Sequence, residues 1–144
     1  MIVRRAAVVA LGFLFCSCLR ADTHDDVVDL FASIAAALSE INVPQFMDAF
    51  SKDMPDYDRL KSAVTALVNQ AEVASSIEPL KDEGDDARRT VELDWYLEIR
   101  SLLPDGPIVH RREVVQCELR KEKKRWKIVA LKPLEFFGAA KLDQ

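Results

Sequence analysis

Cysteine and histidine are scarce in this chain, with three of the first and two of the second. Cys16 and Cys18 fall in an N-terminal apolar segment, so Cys117 is the one ordinary thiol of the body and no intramolecular disulfide is available. His24 and His110 are the only imidazoles, and no metal-ligand spacing or nucleophile–base pattern emerges around them. Cys117 lies in an apolar strand-like run, where a thiol reads as a small buried hydrophobe rather than a nucleophile. Long apolar runs are also absent. A membrane-spanning helix needs about 20 apolar residues, and Arg20 interrupts the N-terminal run too early. There is no internal repeat, low-complexity linker or second-domain boundary, so the length suits one domain with one core.

What stands at the N-terminus is the pattern of a secretory signal. Arg4 and Arg5 form a basic start, Ala6 to Phe15 an apolar stretch, and a small-residue site ends at Ala21. Cleavage there predicts a leader over 1–21 and a single exported domain over 22–144, periplasmic or secreted. The alternative is a lipoprotein route that cleaves before Cys18 and lipidates it, with Ser17 as the small residue. Phe15 and Cys16 fit that pattern poorly, so the first route is preferred. Neither route leaves a membrane span in the mature chain.

Positive charge is in deficit. The chain carries 20 Lys and Arg against 24 Asp and Glu, and without Arg4, Arg5 and Arg20 the balance is about −7. That excess argues against nucleic acid and against an anionic membrane surface as partners. The basic run Arg120-Lys121-Glu122-Lys123-Lys124-Arg125 falls where a hairpin must turn and reads as a solvated turn.

The pattern of apolar residues changes period once. A first helix is expected from Thr23 as cap, with the stripe Val27, Phe31, Ile34, Leu38 and Ile41. Pro44 suits the first turn of a short second helix bearing Phe46, Met47 and Phe50. Asp56 then caps a third, with Tyr57, Leu60, Val64, Leu67, Val68 and Ala71 on one face. From Val73 the period becomes two. Strands are expected over Val73–Lys81, Arg88–Leu102, Val109–Arg120 and Arg125–Leu134. Helices followed by an antiparallel meander imply an α+β domain, with the helices packed in the concave face of a curved four-stranded sheet.

The helix–short helix–helix opening and the four-strand meander resemble the nuclear transport factor 2-like superfamily. So does the segment Arg125-Trp126-Lys127-Ile128-Val129-Ala130-Leu131, which precedes Pro133 and Phe136-Phe137. This is the cone-shaped α+β fold also seen in ketosteroid isomerases and polyketide cyclases. The resemblance covers almost all of Asp22 to Phe137 and implies a cone with a pocket, often a dimer, in enzymes and binding modules alike.

Turn chemistry and charge pairing suggest a register. Placing Glu98 opposite Arg112 puts Trp95 beside Val115 and Leu93 beside Cys117. Placing Glu118 opposite Lys127 puts Leu119 beside Trp126, Cys117 beside Ile128 and Glu113 beside Lys132. The concave floor is then Leu93, Trp95, Val115, Cys117, Trp126 and Ile128, with Arg111, Glu113 and Lys132 at its rim. Such a floor could take a small apolar ligand, or be filled by the helices. On the outer face Tyr96, Val114, Val129 and Leu131 form an apolar patch. Either a symmetric homodimer or the folded-back segment Leu134 to Phe137 would cover it, and the dimer is preferred.

No catalytic residue is assigned. The acids that ketosteroid isomerases use inside the cone have no counterpart, because Asp94 alternates to the outer face. No cofactor or metal is expected. The reading is a non-catalytic ligand-binding or protein-interaction module. A small lyase, isomerase or hydrolase using Glu113, Arg111 and Lys132 is the first alternative. A structural dimerisation domain with a closed cavity is the second.

Overall fold

A computed structural model describes residues 16–142, with side chains from Thr23 onward. Residues 1–15 of the leader expected over 1–21, and the side chain of Cys18, lie outside the described residues. Three helices come first: α1 (Cys16–Ser39), α2 (Val43–Asp48) and α3 (Tyr57–Gln70). Four strands follow, β1 (Ala71–Gly84), β2 (Arg88–Ser101), β3 (Ile108–Glu122) and β4 (Arg125–Lys132). A one-turn 3₁₀ helix over Leu134–Phe137 closes the order. The strands form one antiparallel sheet in the order β1-β2-β3-β4. This is the α+β meander with inner helices that the change of period implies.

The helical stripes are buried as expected. Val27, Phe31, Ile34 and Leu38 of α1 meet Leu60, Val64, Leu67 and Val68 of α3 in the same core. Ile41 does not join them. It follows the end of α1 with φ +59°, a turn conformation that leaves its side chain 49% exposed. Thr23 is not a cap, because α1 begins at Cys16, and its hydroxyl instead donates across the fold to Asp86 at 3.0 Å. Asn42 caps α2, its Oδ1 accepting from the Gln45 amide. Asp56 occupies the cap position of α3 without forming a side-chain cap bond.

In β2, Val91, Leu93, Trp95, Leu97 and Ile99 are buried while the alternate residues are not. The registers differ from the expected ones by two residues. Trp95 lies opposite Glu113 and Leu93 opposite Val115, while Tyr96 faces Arg112. Opposite charges meet diagonally instead, with Arg112 Nε donating to Asp94 Oδ1 at 3.0 Å. A slip of two keeps every side chain on its own face, so alternation cannot detect it.

A bulge between Glu118 and Leu119 has a larger consequence. Leu119 pairs with Ile128, yet Glu118 pairs with Ala130, and Val129 is the extra residue. Every residue of β4 beyond the bulge changes face. Leu131 turns inward opposite Cys117 and is buried, while Lys132 turns outward opposite Gln116 and is exposed. Both assignments made from alternation are therefore reversed.

Candidate functional site

The concave face is where a pocket is expected, and it is packed. Phe31, Trp95 and Phe137 meet edge to face, with ring centroids 6.4 Å apart for Phe31–Trp95 and 4.8 Å for Trp95–Phe137. Phe46 packs at a tilt against Phe50 and Phe137, and Phe136 reaches Trp95 at 6.2 Å. Trp95, Val115 and Ile128 are fully buried, with Cys117 and Trp126 close behind. These five residues come together as core rather than as an open floor. The Trp95 indole N–H donates to Ser75 Oγ at 2.8 Å, which satisfies the one polar atom it brings inside. Burial pushes the Cys117 thiol far up from its ordinary range, as befits an inert core residue.

The packing follows from the C-terminal segment. Leu134, Phe136 and Phe137 enter the mouth of the cone instead of covering the outer sheet face. Arg111 holds them there. Its guanidinium donates to the carbonyls of Phe136 (2.9 Å), Gly138 (2.6 Å) and Ala139 (2.9 Å). Burial pulls the Arg111 pKa down and the charge of Glu113 opposes that pull. Gln70 adds a bond to the Ala140 carbonyl, and Arg59 pairs with Glu135 at 3.2 Å.

The expected rim triad is thus not assembled. Arg111 and Glu113 share a face of β3, but Lys132 has left it through the bulge. A surface groove of about 520 Å³ remains beside Arg111, Arg112, Glu113 and Phe136. Arg111 is committed to backbone carbonyls, and Glu113 is exposed.

The outer patch is not assembled either. Leu131 is inside, Val129 sits in the bulge, and Val114 is exposed opposite Asp94. Tyr96 stacks on His110, rings 5.8 Å apart, and its hydroxyl hydrogen-bonds His110 Nδ1. The Arg112 guanidinium bonded to Asp94 holds that carboxyl below the usual carboxylate range. This face is largely charged.

Sequence reasoning missed a cluster at the end of the sheet that bears the β1–β2 turn. His24 Nδ1 lies 2.7 Å from Asp82, which also accepts from Arg89 Nε at 2.6 Å. The Asp82 side chain is only 7% exposed and that of His24 is 50% exposed. The residues are 58 positions apart, and no local signal links them. Among the described residues no group of His, Cys, Asp and Glu is placed to hold a metal, and no helix is long and apolar enough to cross a membrane.

No family model and no curated protein matches this sequence. Solved structures do match. A conserved protein from Planctomyces limnophilus DSM 3776 superposes with TM-score 0.69 at 8% identity, covering 76% of this chain and 92% of its own. A hexachlorocyclohexane dehydrochlorinase from Novosphingobium barchaimii LL02 gives 0.63 at 12% identity, over 80% and 88% of the two chains. An NTF-2-like protein of unknown function from Shewanella oneidensis MR-1 gives 0.57 at 12%, over 75% and 95%. The chain has the nuclear transport factor 2-like fold. At such identities the likeness speaks for the fold alone.

Proposed function

We propose that the chain is exported and that its domain acts as a non-catalytic interaction module, meeting its partner through surface groups rather than an internal pocket. One observation carries this reading. The space in which the cone would hold a ligand is occupied by Phe136 and Phe137 packed on Trp95, with Arg111 clamping the backbone behind them. The basic start and short apolar run of the leader support export, by signal cleavage or by lipidation of Cys18. Homodimerisation through the expected outer patch would be left with Tyr96 and Val114 on a face otherwise charged, since Leu131 is buried. Native mass spectrometry of the purified chain tests the module reading. Bare protein is expected, and a co-purified apolar molecule bound one to one would overturn it.

An enzymatic reading is favoured by the His24–Asp82 pair. An imidazole held at Nδ1 by a buried carboxylate has the arrangement of a general base, and a dehydrochlorinase shares the fold. Proton abstraction from a small substrate would be its task. Any turnover found should fall at least a hundredfold in His24→Gln, in line with the usual contribution of a general base. Turnover unchanged in that variant would remove His24 from the reaction.

A further inference from the structure

The basic run that reads as a mere turn acquires neighbours in three dimensions. The β1–β2 and β3–β4 turns lie at the same end of the sheet, joined where the Lys121 amide donates to the Ala87 carbonyl at 2.9 Å. Arg88 of β2, Arg120 of β3 and Lys127 of β4 stand opposite one another across three strands on the outer face. Like charges directly opposed in a ladder repel, and the row is offset at two positions, by Glu122 at 3.5 Å from Arg120 and by Asp48 at 3.6 Å from Lys127. The turn itself carries a cost. Lys123 and Lys124 have φ +47° and +71°, where a two-residue hairpin turn favours Asn-Gly. Two bulky lysines held in the left-handed region are an outlier of the kind found at functional positions.

Four carboxylates at this end are engaged within the fold, while Asp25 and Asp26 of α1 are exposed. Asp82 pairs with Arg89 and His24, Asp85 accepts the Ala87 and Arg88 amides, and Asp86 accepts from Thr23. Glu122 takes the Ser51 hydroxyl and faces Arg120 at 3.5 Å. Lys123 and Lys124 are exposed, and no ion pair is formed by either among the described residues. Beside the row is a groove of about 260 Å³ whose lining includes Arg88, Arg120, Thr90, Val129, Glu83 and Glu118. The cations are concentrated at the β3–β4 turn, where Arg120, Lys121, Lys123, Lys124 and Arg125 stand with Glu122, within a chain of net charge −4. At physiological ionic strength charges act over roughly 8 Å, so the end that makes contact decides what binds.

The occupant is indicated by the N-terminal helix. Thr23 and His24 place α1 against the β1–β2 turn. From there α1 runs back to Cys16, about 10 Å beyond Thr23 at the helical rise. The apolar run Ala6–Phe15 precedes it immediately. The chain therefore leaves the fold toward its most apolar segment at the end where the cations collect.

We propose that this end of the sheet docks on an anionic phospholipid bilayer, with lipid phosphates at Arg88 and Arg120 and the Lys123-Lys124 turn against the headgroups. The proposal rests on reading the domain as an exported interaction module and names its partner. Where the leader is cut, the basic end would hold the domain at the surface it has just crossed. Where Cys18 is lipidated, the same cations would supply the second signal that stable anchoring needs.

Vesicle sedimentation of the full-length chain tests this by comparing wild type with variants that keep the same leader, whose Arg4, Arg5 and Arg20 also favour anionic lipid. Phosphatidylcholine vesicles are compared with vesicles containing phosphatidylglycerol, at low and high salt. Wild type should partition more strongly onto the anionic vesicles, and high salt should abolish the excess. Lys123→Asn with Lys124→Gly should cut anionic partitioning roughly thirtyfold, as the loss of two surface cations predicts. The same pair should raise the melting temperature, since Asn-Gly suits the turn. Arg88→Gln with Arg120→Gln should also reduce the excess, and covers the case in which the turn variant misfolds. Equal partitioning on both vesicle types overturns the proposal, as does an excess that survives both double variants. Retention on heparin without a vesicle excess would replace the bilayer with a soluble polyanion. Displacement by millimolar inorganic phosphate would assign the groove to free phosphate instead. A negative vesicle result leaves the module reading intact, which the ligand test on the cone decides separately.

Discussion

Cys117 shows how far a single side chain can be interpreted from its surroundings. It faces Leu131 across β4 and Val91 across β2, and it is almost fully buried. Burial disfavours the thiolate, so its pKa is raised above the ordinary value of 9.0. The sign of the linkage follows. Below that value the thiol is protonated in both folded and unfolded chains and adds no slope. Above it the unfolded chain loses the proton first, so stability falls as pH rises, by at most about 1.4 kcal/mol per pH unit. Unfolding free energies measured on either side of pH 9 should show this fall, and Cys117→Ala should have a shallower slope than wild type. Identical slopes would mean that the thiol reaches solvent. The sequence already indicated this role, because a cysteine inside Val114-Val115-Gln116-Cys117 alternates with its neighbours. The His24–Asp82 contact was not legible, since nothing local to either residue announces the other. Trp126 falls between these cases. Its burial was expected, yet its indole N–H has no hydrogen-bond partner among the described residues, while Lys121 Nζ lies 5.7 Å from the ring centroid.

At the scale of elements, periodicity identified which faces are buried and left the pairing undetermined. The stripes of α1 and α3 and the alternation of β2 are where the sequence places them, because one face of each element buries a continuous set of apolar residues. Register depends on turn geometry, and a two-residue slip leaves the pattern unchanged. The bulge at Val129 was hidden for a different reason. Trp126-Lys127-Ile128-Val129-Ala130-Leu131 is apolar at nearly every position, so an inserted residue breaks no alternation. The structure predicts opposite outcomes for two substitutions that alternation treats alike. Leu131→Lys buries a charge opposite Cys117 and should destabilise by about 3 kcal/mol or more. Val114→Asp, at a position 51% exposed, should change stability by no more than about 1 kcal/mol. Thermal melts of the two variants check this. A folded Leu131→Lys protein with the wild-type melting temperature would show that Val129 is not the bulged residue.

On the scale of the whole molecule, the fold is a cone closed from within by its own C-terminal segment. The sheet curves around α1, α2 and α3, and the 3₁₀ turn delivers Phe136 and Phe137 to the space that remains. Sequence reading identified these phenylalanines as part of the fold signature. It could not place them inside, because a short segment with three apolar residues after a strand can cover either face of a sheet. Arg111 decides the matter by supplying donors to three successive parts of that segment. The expected effect of its loss is therefore local before it is global. Arg111→Met retains an apolar stem but removes all of its guanidinium bonds, so the carbonyls of Phe136, Gly138 and Ala139 must turn to water. A stability loss of about 1–3 kcal/mol follows, typical of hydrogen bonds from a charged donor. Hydrogen exchange should accelerate first over Phe137 to Leu142, where backbone protection depends on this clamp, while amides of β2 and β3 slow or quicken only with global stability. An apolar dye should then bind where the wild-type protein excludes it, at the Trp95 wall the segment normally covers. If exchange accelerates uniformly and no dye binds, Arg111 is one stabilising contact among many. If the terminal segment opens alone and the dye binds, the cone holds a pocket that this chain keeps shut.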